Sequence, residues 1–159
     1  MLRPADTRAL EINLAQLHPL GASIYTGQKP VAVNIGNPHL VFFVEDLEKV
    51  EIEILGPLLE NDPLFPERVN VGFAQVLQPD TIRLRVWERG SGLTMACGTG
   101  ACAAVVALYY GGIFPSTFPR LIKVHQQGGE LRIEWLENDD ILMTGPAHMS
   151  FKGTFIHAF

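Results

Sequence analysis

Apolar and polar residues alternate with a period of two through most of the chain, the pattern of half-buried strands. "LEINL" (10–14) shows it first, and "PVAVNIG" (30–36) and "LVFFVEDL" (40–47) are further strand candidates on either side of Asn37-Pro38-His39. "NVGFAQVL" (70–77) and "TIRLRVW" (81–87) alternate around "QPD", which predicts a hairpin. "LIKVHQ" (121–126), "ELRIEWLE" (130–137), "DILMTG" (140–145) and "MSFKGTFI" (149–156) predict a meander, broken at Gly128-Gly129, Asn138-Asp139 and Gly145-Pro146. Between 47 and 61 two readings stay open. Leu47, Val50, Ile54, Leu55, Leu58 and Leu59 have helical spacing, yet "VEIEIL" alternates like a strand and Gly56-Pro57 interrupts it.

One segment departs from alternation altogether. "GACAAVVALYY" (100–110) is apolar on every side and stops at Gly111-Gly112, which predicts a helix enclosed on all faces. Some eight strands and one such helix are most economically arranged as an α+β fold, a strongly curved, mostly antiparallel sheet wrapped around a central apolar helix. No internal repeat, low-complexity tract or domain boundary interrupts the pattern.

Composition narrows the function classes. At 159 residues the chain fits one domain with a real core, and 47% hydrophobic with 18% charged residues describes a globular protein. A net charge of −5 with interspersed signs excludes the basic stripe that a nucleic-acid partner requires. "MLRPADTRALEINL" has no apolar signal-peptide core, and the Gly- and Ala-rich stretch 93–114 reads as a buried helix rather than a membrane span. The two cysteines, Cys97 and Cys102, stand five positions apart, about 140° around a helix, so they point away from each other. Two free thiols suggest a reducing, cytoplasmic setting.

The chemistry concentrates just before the enclosed helix. No charged residue occurs from Gly90 to Pro119, while Glu88 and Arg89 stand immediately before, and Cys97 precedes Gly98-Thr99-Gly100 at the helix mouth. Unpaired N–H groups and the partial positive charge at a helix start stabilise a thiolate, which predicts a lowered pKa and a base or nucleophile near neutral pH. The same N–H groups can hold a carboxylate, and the glycines let it approach. A small cysteine buried in a tight turn is the competing reading. "GTGACA" (98–103) matches a dinucleotide fingerprint, but no acidic residue follows about 20 positions on. Cys97, Cys102 and the scattered histidines have no zinc spacing, so no metal is expected, and Ser91 lacks a nucleophile elbow. Taken alone, Asn37, His39 and Asn70 read as turn residues and Glu88–Arg89 as a surface ion pair.

"NIGNPHLVFFV", "GPLLENDPLFPERVNVGFAQV", "IRLRVWERGSGLTMACGTGACAA" and "TGPAHMSFKGTF" together resemble the C-terminal half of diaminopimelate epimerase, from about Val31 to the end. On that resemblance residues 31–159 form the C-terminal epimerase-like domain, with 1–30 a leader carrying the domain's first strand. The resemblance implies a cofactor-independent isomerase that interconverts LL- and meso-diaminopimelate. Two similar domains face each other across a cleft, and each supplies one cysteine at a helix N-terminus. Cys97 would be one of that pair, with His39 near it and Glu88 holding the amino group at the reacting centre. Gly98 and Thr99 would give N–H groups to the adjacent carboxylate, and Asn37, Asn70 and Arg89 would grip the distal end.

The family's other cysteine, in a "CGNG"-like stretch, has no counterpart here, and Cys102 lies about 7.5 Å farther along the same helix. The expected partners are therefore a small amino-acid substrate and either an N-terminal half or a second copy of the chain, with no nucleic acid or membrane. The alternatives are an isomerase of the same fold with another substrate, and a catalytically silent binding or self-associating domain.

Overall fold

The computed structural model describes residues 28–115 and 121–155. The strand expected at 10–14 lies outside them. Eight strands form one sheet: β1 (Val31–Asn34), β2 (Pro38–Phe43), β3 (Asn70–Gln78), β4 (Thr81–Glu88), β5 (Gly92–Thr94), β6 (Leu121–Gln126), β7 (Gly129–Trp135) and β8 (Ile141–Thr144). Their order is β1-β2-β3-β4-β6-β7-β8, with β5 paired to β4. Five pairings are antiparallel. The pairs β2–β3 and β4–β6 are parallel. Parallel neighbours need a long crossover, and the two helices supply it: α1 (Ile52–Glu60) between β2 and β3, and α2 (Gly98–Tyr110) between β4 and β6.

The helices cover opposite faces of the sheet, and the period-two pattern explains how. In β2, Val41 and Phe43 pack into the cluster around α2, whereas Leu40 and Phe42 pack into the cluster around α1. A strand buried on both faces reads as a continuous apolar run, as "LVFF" does. Helix α2 is buried without interruption from Gly100 to Leu108, and it touches strands from β1 and β2 at one end of the sheet to β7 and β8 at the other. The α+β architecture expected from the sequence, a curved sheet closed around an apolar helix, is what the chain adopts. Each Val or Leu fully buried here contributes about 1.5–3 kcal/mol. Ala101, Ala103, Ala104 and Ala107, all fully buried, let the surrounding strands come close.

One segment that the sequence leaves open is decided by the structure, and two others differ from the sequence reading. Residues 52–60 are helical, because Ile52, Leu55 and Leu59 make one buried face against the cluster containing Leu40, Phe42, Val71 and Phe73. Pro57 lies inside this helix. The neighbouring Gly56 has a spatial reason, since a Cβ there would stand 2.4 Å from the Trp87 ring. Residues 149–155, expected as a strand, form none, and Met149, Phe151 and Phe155 are exposed. Alternation was present there, but no described strand pairs with it. The short strand β5 was not anticipated, since "GLT" is too brief to carry a period.

Candidate active site

The topology gathers the candidate residues on one rim of the sheet. Strand β1 ends there and β2 begins, with Asn37 in the turn between them. Strand β3 begins beside β2, with His39 and Asn70 in register. Strands β4 and β6 run parallel to each other, so the end of β4, with Glu88, and the end of β6, with Gln126, reach this same rim. Helix α2 starts here with Cys97 as its N-cap.

Side chains link these positions in a chain. The Thr99 hydroxyl lies 3.6 Å from Cys97 Sγ. Asn37 Nδ2 donates to Thr99 Oγ1 at 3.4 Å, and Asn37 Oδ1 lies 3.1 Å from His39 Nε2. With the Asn37 amide so oriented, its oxygen accepts, which assigns the proton of a neutral His39 to Nε2. The thiol also accepts the Gly100 N–H at 3.3 Å. Gly100 has no room for a side chain, since a Cβ would stand 2.9 Å from Val86 and 3.2 Å from the sulfur. Gly98 and Thr99 open the helix, where N–H groups have no intrahelical acceptor.

A second group holds the end of β4. Asn70 is buried, accepts the Arg89 N–H at 2.9 Å and donates to the Pro38 carbonyl at 2.8 Å. Arg89 Nη1 donates to the Glu67 carbonyl at 2.8 Å. Thr94 Oγ1 donates to Glu88 Oε1 at 2.5 Å. Glu60, also buried, accepts from the Trp87 indole at 2.8 Å, the Gly90 N–H at 2.9 Å and Arg68 at 3.2 Å. The chain therefore fixes both Glu88 and Arg89 from behind.

The electrostatics overturn one expectation. Burial lifts the Cys97 thiol above its ordinary pKa. Hydrogen bonds from Thr99 and Gly100 act the other way, and the nearby Glu88 carboxylate adds to the rise. The helix start is real, but desolvation of the anion outweighs it. Cys102 is pushed further, up to about 11, by burial and then by Cys97. Cys97 thus remains the more acidic of the two. His39 is held down to about 4, first by burial and then by the Arg89 charge.

The sequence profile of the diaminopimelate epimerase family matches residues 31–150. The chain belongs to this family. It is 52% identical over 128 residues to the diaminopimelate epimerase of Erythrobacter litoralis, covering 80% of this chain and 46% of that protein. It is 44% identical over 153 residues to the diaminopimelate epimerase of Acidiphilium cryptum, covering 96% and 50%. The chain spans about half the length of the curated diaminopimelate epimerases it matches. The fold is shared with a predicted epimerase of Pseudomonas aeruginosa at a TM-score of 0.54 and 16% identity, covering 87% of this chain and 51% of the other.

Against the sequence reading, Cys97, Thr99, Asn37 and His39 are joined by hydrogen bonds, and Glu88 is near enough to act on the thiol. Asn70 and Arg89 are joined to each other. Gly98 lies beside Met143, whose sulfur would be 3.1 Å from a Cβ. Glu60, Thr94 and Gln126 were missed. Glu60 carried a weak signal, an acid among the apolar residues of "GPLLEN". Gln126, at a strand end, carried none. Among the described residues no group of His, Cys, Asp and Glu is arranged to hold a metal, and no helix is long and apolar enough to cross a membrane.

Proposed function

We propose that residues 31–159 are the C-terminal domain of a cofactor-independent amino-acid epimerase that interconverts LL- and meso-diaminopimelate, with residues 1–30 leading into it. This chain supplies one of two opposed proton-transfer groups. The observation that carries the reading is the setting of Cys97: a sulfur at the start of an enclosed helix, hydrogen-bonded by Gly100, with Glu88 alongside.

In this reading the substrate's α-carboxylate sits against the Gly98 and Thr99 N–H groups and its α-amino group against Glu88. Asn37, Asn70 and Arg89 grip the distal end. A base on one face takes the α-proton. The bonding electron pair stays on the carbon and spreads into the carboxylate, whose growing negative charge the helix start stabilises. An acid on the other face returns a proton to the same carbon, so one proton leaves and one arrives.

The raised pKa makes Cys97 a thiol at neutral pH, which suits it to the acid role when the opposed group begins as the base. His39 stays neutral and, through Asn37 and Thr99, orients the proton on the sulfur. The opposed group comes from an N-terminal half, corresponding to the half of the curated relatives that this chain does not span. Two buried thiols fit a reducing, cytoplasmic setting.

The test is reconstitution. The chain is mixed with the N-terminal half of the Acidiphilium cryptum relative, and LL-diaminopimelate is followed in D2O. Meso product carrying deuterium at the α-carbon, with formation of that product abolished by Cys97→Ala, is the expected result. A folded, associated pair with Cys97 intact and no exchange overturns the reading. Turnover by the chain alone would assign the opposed group to a second copy.

A further inference from the structure

We infer that Gln126 is a positioning residue for Cys97, holding the peptide on both sides of the thiol so that the sulfur stays aimed at the Gly100 N–H. Its catalytic consequence rests on the epimerase reading above. The Cys97 N–H donates to Gln126 Oε1 at 2.7 Å, and Gln126 Nε2 donates back to the Cys97 carbonyl at 3.3 Å. One side-chain amide thus does what a neighbouring strand's main chain would do.

The contact continues past Gln126. The Gly128 N–H donates to the Met95 carbonyl at 2.8 Å. A Cβ on Gly128 would stand 3.1 Å from the Ala96 Cβ and 3.3 Å from the Met95 carbonyl. The β6–β7 turn therefore lies directly on residues 95–97. Cys97 is held in an extended conformation (φ −134, ψ 109) while its carbonyl already accepts from Ala101 at 3.0 Å. Fixing both neighbouring peptides fixes the Cα–Cβ direction, which leaves rotation about one bond to place the sulfur.

An amide is suited to this. It offers a donor and an acceptor at one end, whereas glutamate cannot donate, lysine cannot accept and leucine does neither. The groups on which the epimerase reading places the substrate's distal end, Asn37, Asn70 and Arg89, stand on other elements. The peptide that Gln126 holds through the Cys97 carbonyl also carries the Gly98 N–H offered to the α-carboxylate. Loosening Gln126 therefore acts at the reacting centre, on proton transfer and on the carboxylate together, and leaves the distal grip in place.

Two variants, Gln126→Leu and Gln126→Glu, test this on the chain itself and in the reconstituted pair. In Gln126→Leu, hydrogen exchange at the Cys97 amide rises at least about tenfold, the scale of one lost hydrogen bond, while core amides such as Val124 and Ile133 keep their rates. In the pair, kcat falls about tenfold or more, a loss of transition-state stabilisation beyond any effect on KM. Gln126→Glu keeps the acceptor and so keeps Cys97 amide protection. Its carboxylate moves the pH profile of Cys97 alkylation upward and leaves that of Cys102 in place.

Unchanged exchange at Cys97 in Gln126→Leu, or unchanged kcat in a pair that turns over with the native residue, overturns the inference. A native pair that does not turn over, with the exchange change intact, sinks the epimerase reading and leaves the clamp standing. If core amides in Gln126→Leu show that it does not fold, Gln126→Glu decides alone: an unmoved Cys97 profile overturns the inference, and an upward shift supports it.

Discussion

The Gly100 N–H points at Cys97 Sγ across 3.3 Å, and the space between them has no room for another atom. Glycine is required here by space, since position 100 lies in a regular helix. Gly100→Ala gains about 1 kcal/mol in helix propensity but forces a methyl group to within 2.9 Å of Val86 and 3.2 Å of the sulfur. At so short a contact overpacking costs about 2–3 kcal/mol, the upper part of its usual range, so urea unfolding is expected to show a net loss of about 1–2 kcal/mol. A variant as stable as the native chain would show that the helix start can give way.

Thr99 is the hydroxyl link between Asn37 and the thiol. Because its hydrogen bond opposes the burial that raises the Cys97 pKa, Thr99→Val lifts that pKa further and Thr99→Ser restores it. Iodoacetamide labelling against pH, read at Cys97 by mass spectrometry, reports this. Equal profiles for Val and Ser would remove Thr99 from the network.

Labelling also ranks the two thiols. Burial lifts both, and Cys102 reaches about 11. At pH 8 Cys97 is therefore alkylated faster than Cys102, and the rate at Cys97 continues to climb above pH 9. A plateau below pH 8.5, the free-thiol value, would contradict the dominance of burial.

His39 gives the fold a defined acid response. Its folded pKa of about 4 lies below the ordinary 6.5. Between these values the unfolded chain binds a proton that the folded chain does not, so stability rises with pH across this window and is lost on descending it. The full difference is on the order of 3 kcal/mol. Unfolding midpoints of native chain and His39→Gln at pH 7 and pH 4.5 should converge as the pH falls. Parallel losses in the two proteins would assign the acid response elsewhere.

Glu60 ties the Trp87 indole, the Gly90 N–H and Arg68 to one buried carboxylate. Glu60→Ala strands a partly buried indole N–H and a backbone N–H, at about 2–4 kcal/mol together. Guanidinium unfolding measures the loss. In the reconstituted pair KM should rise as well, since Arg89 precedes Gly90 in the released turn. A variant with native stability would show that water replaces the carboxylate.

The fold was legible wherever a period was long enough to resolve. Strands β3, β4, β6 and β7 followed from alternation, and α2 from the absence of any polar face. Residues 52–60 were ambiguous because apolar residues lie at both periods, and burial of Ile52, Leu55 and Leu59 against the outer sheet face decided the matter. The cluster of Cys97, Thr99, Asn37 and His39 came from matching family motifs, because nothing in local spacing joins residues 62 positions apart. The direction of the Cys97 pKa was misread for a physical reason. Sequence shows that a helix starts at a cysteine, but not how little water reaches it. Gln126 and Glu60 act through tertiary contacts, of which a string of letters carries no trace at Gln126 and only the faint mark of an acid among apolar residues at Glu60.

Helix α2 draws its cover from strands that precede it in the chain and from strands that follow it. A nascent chain emerging from the ribosome therefore exposes this greasy cylinder until β6, β7 and β8 have been synthesised. Nothing short of the chain through β8 can shield it, so truncations just beyond Tyr110 should be captured by chaperones or precipitate rather than persist as partial folds.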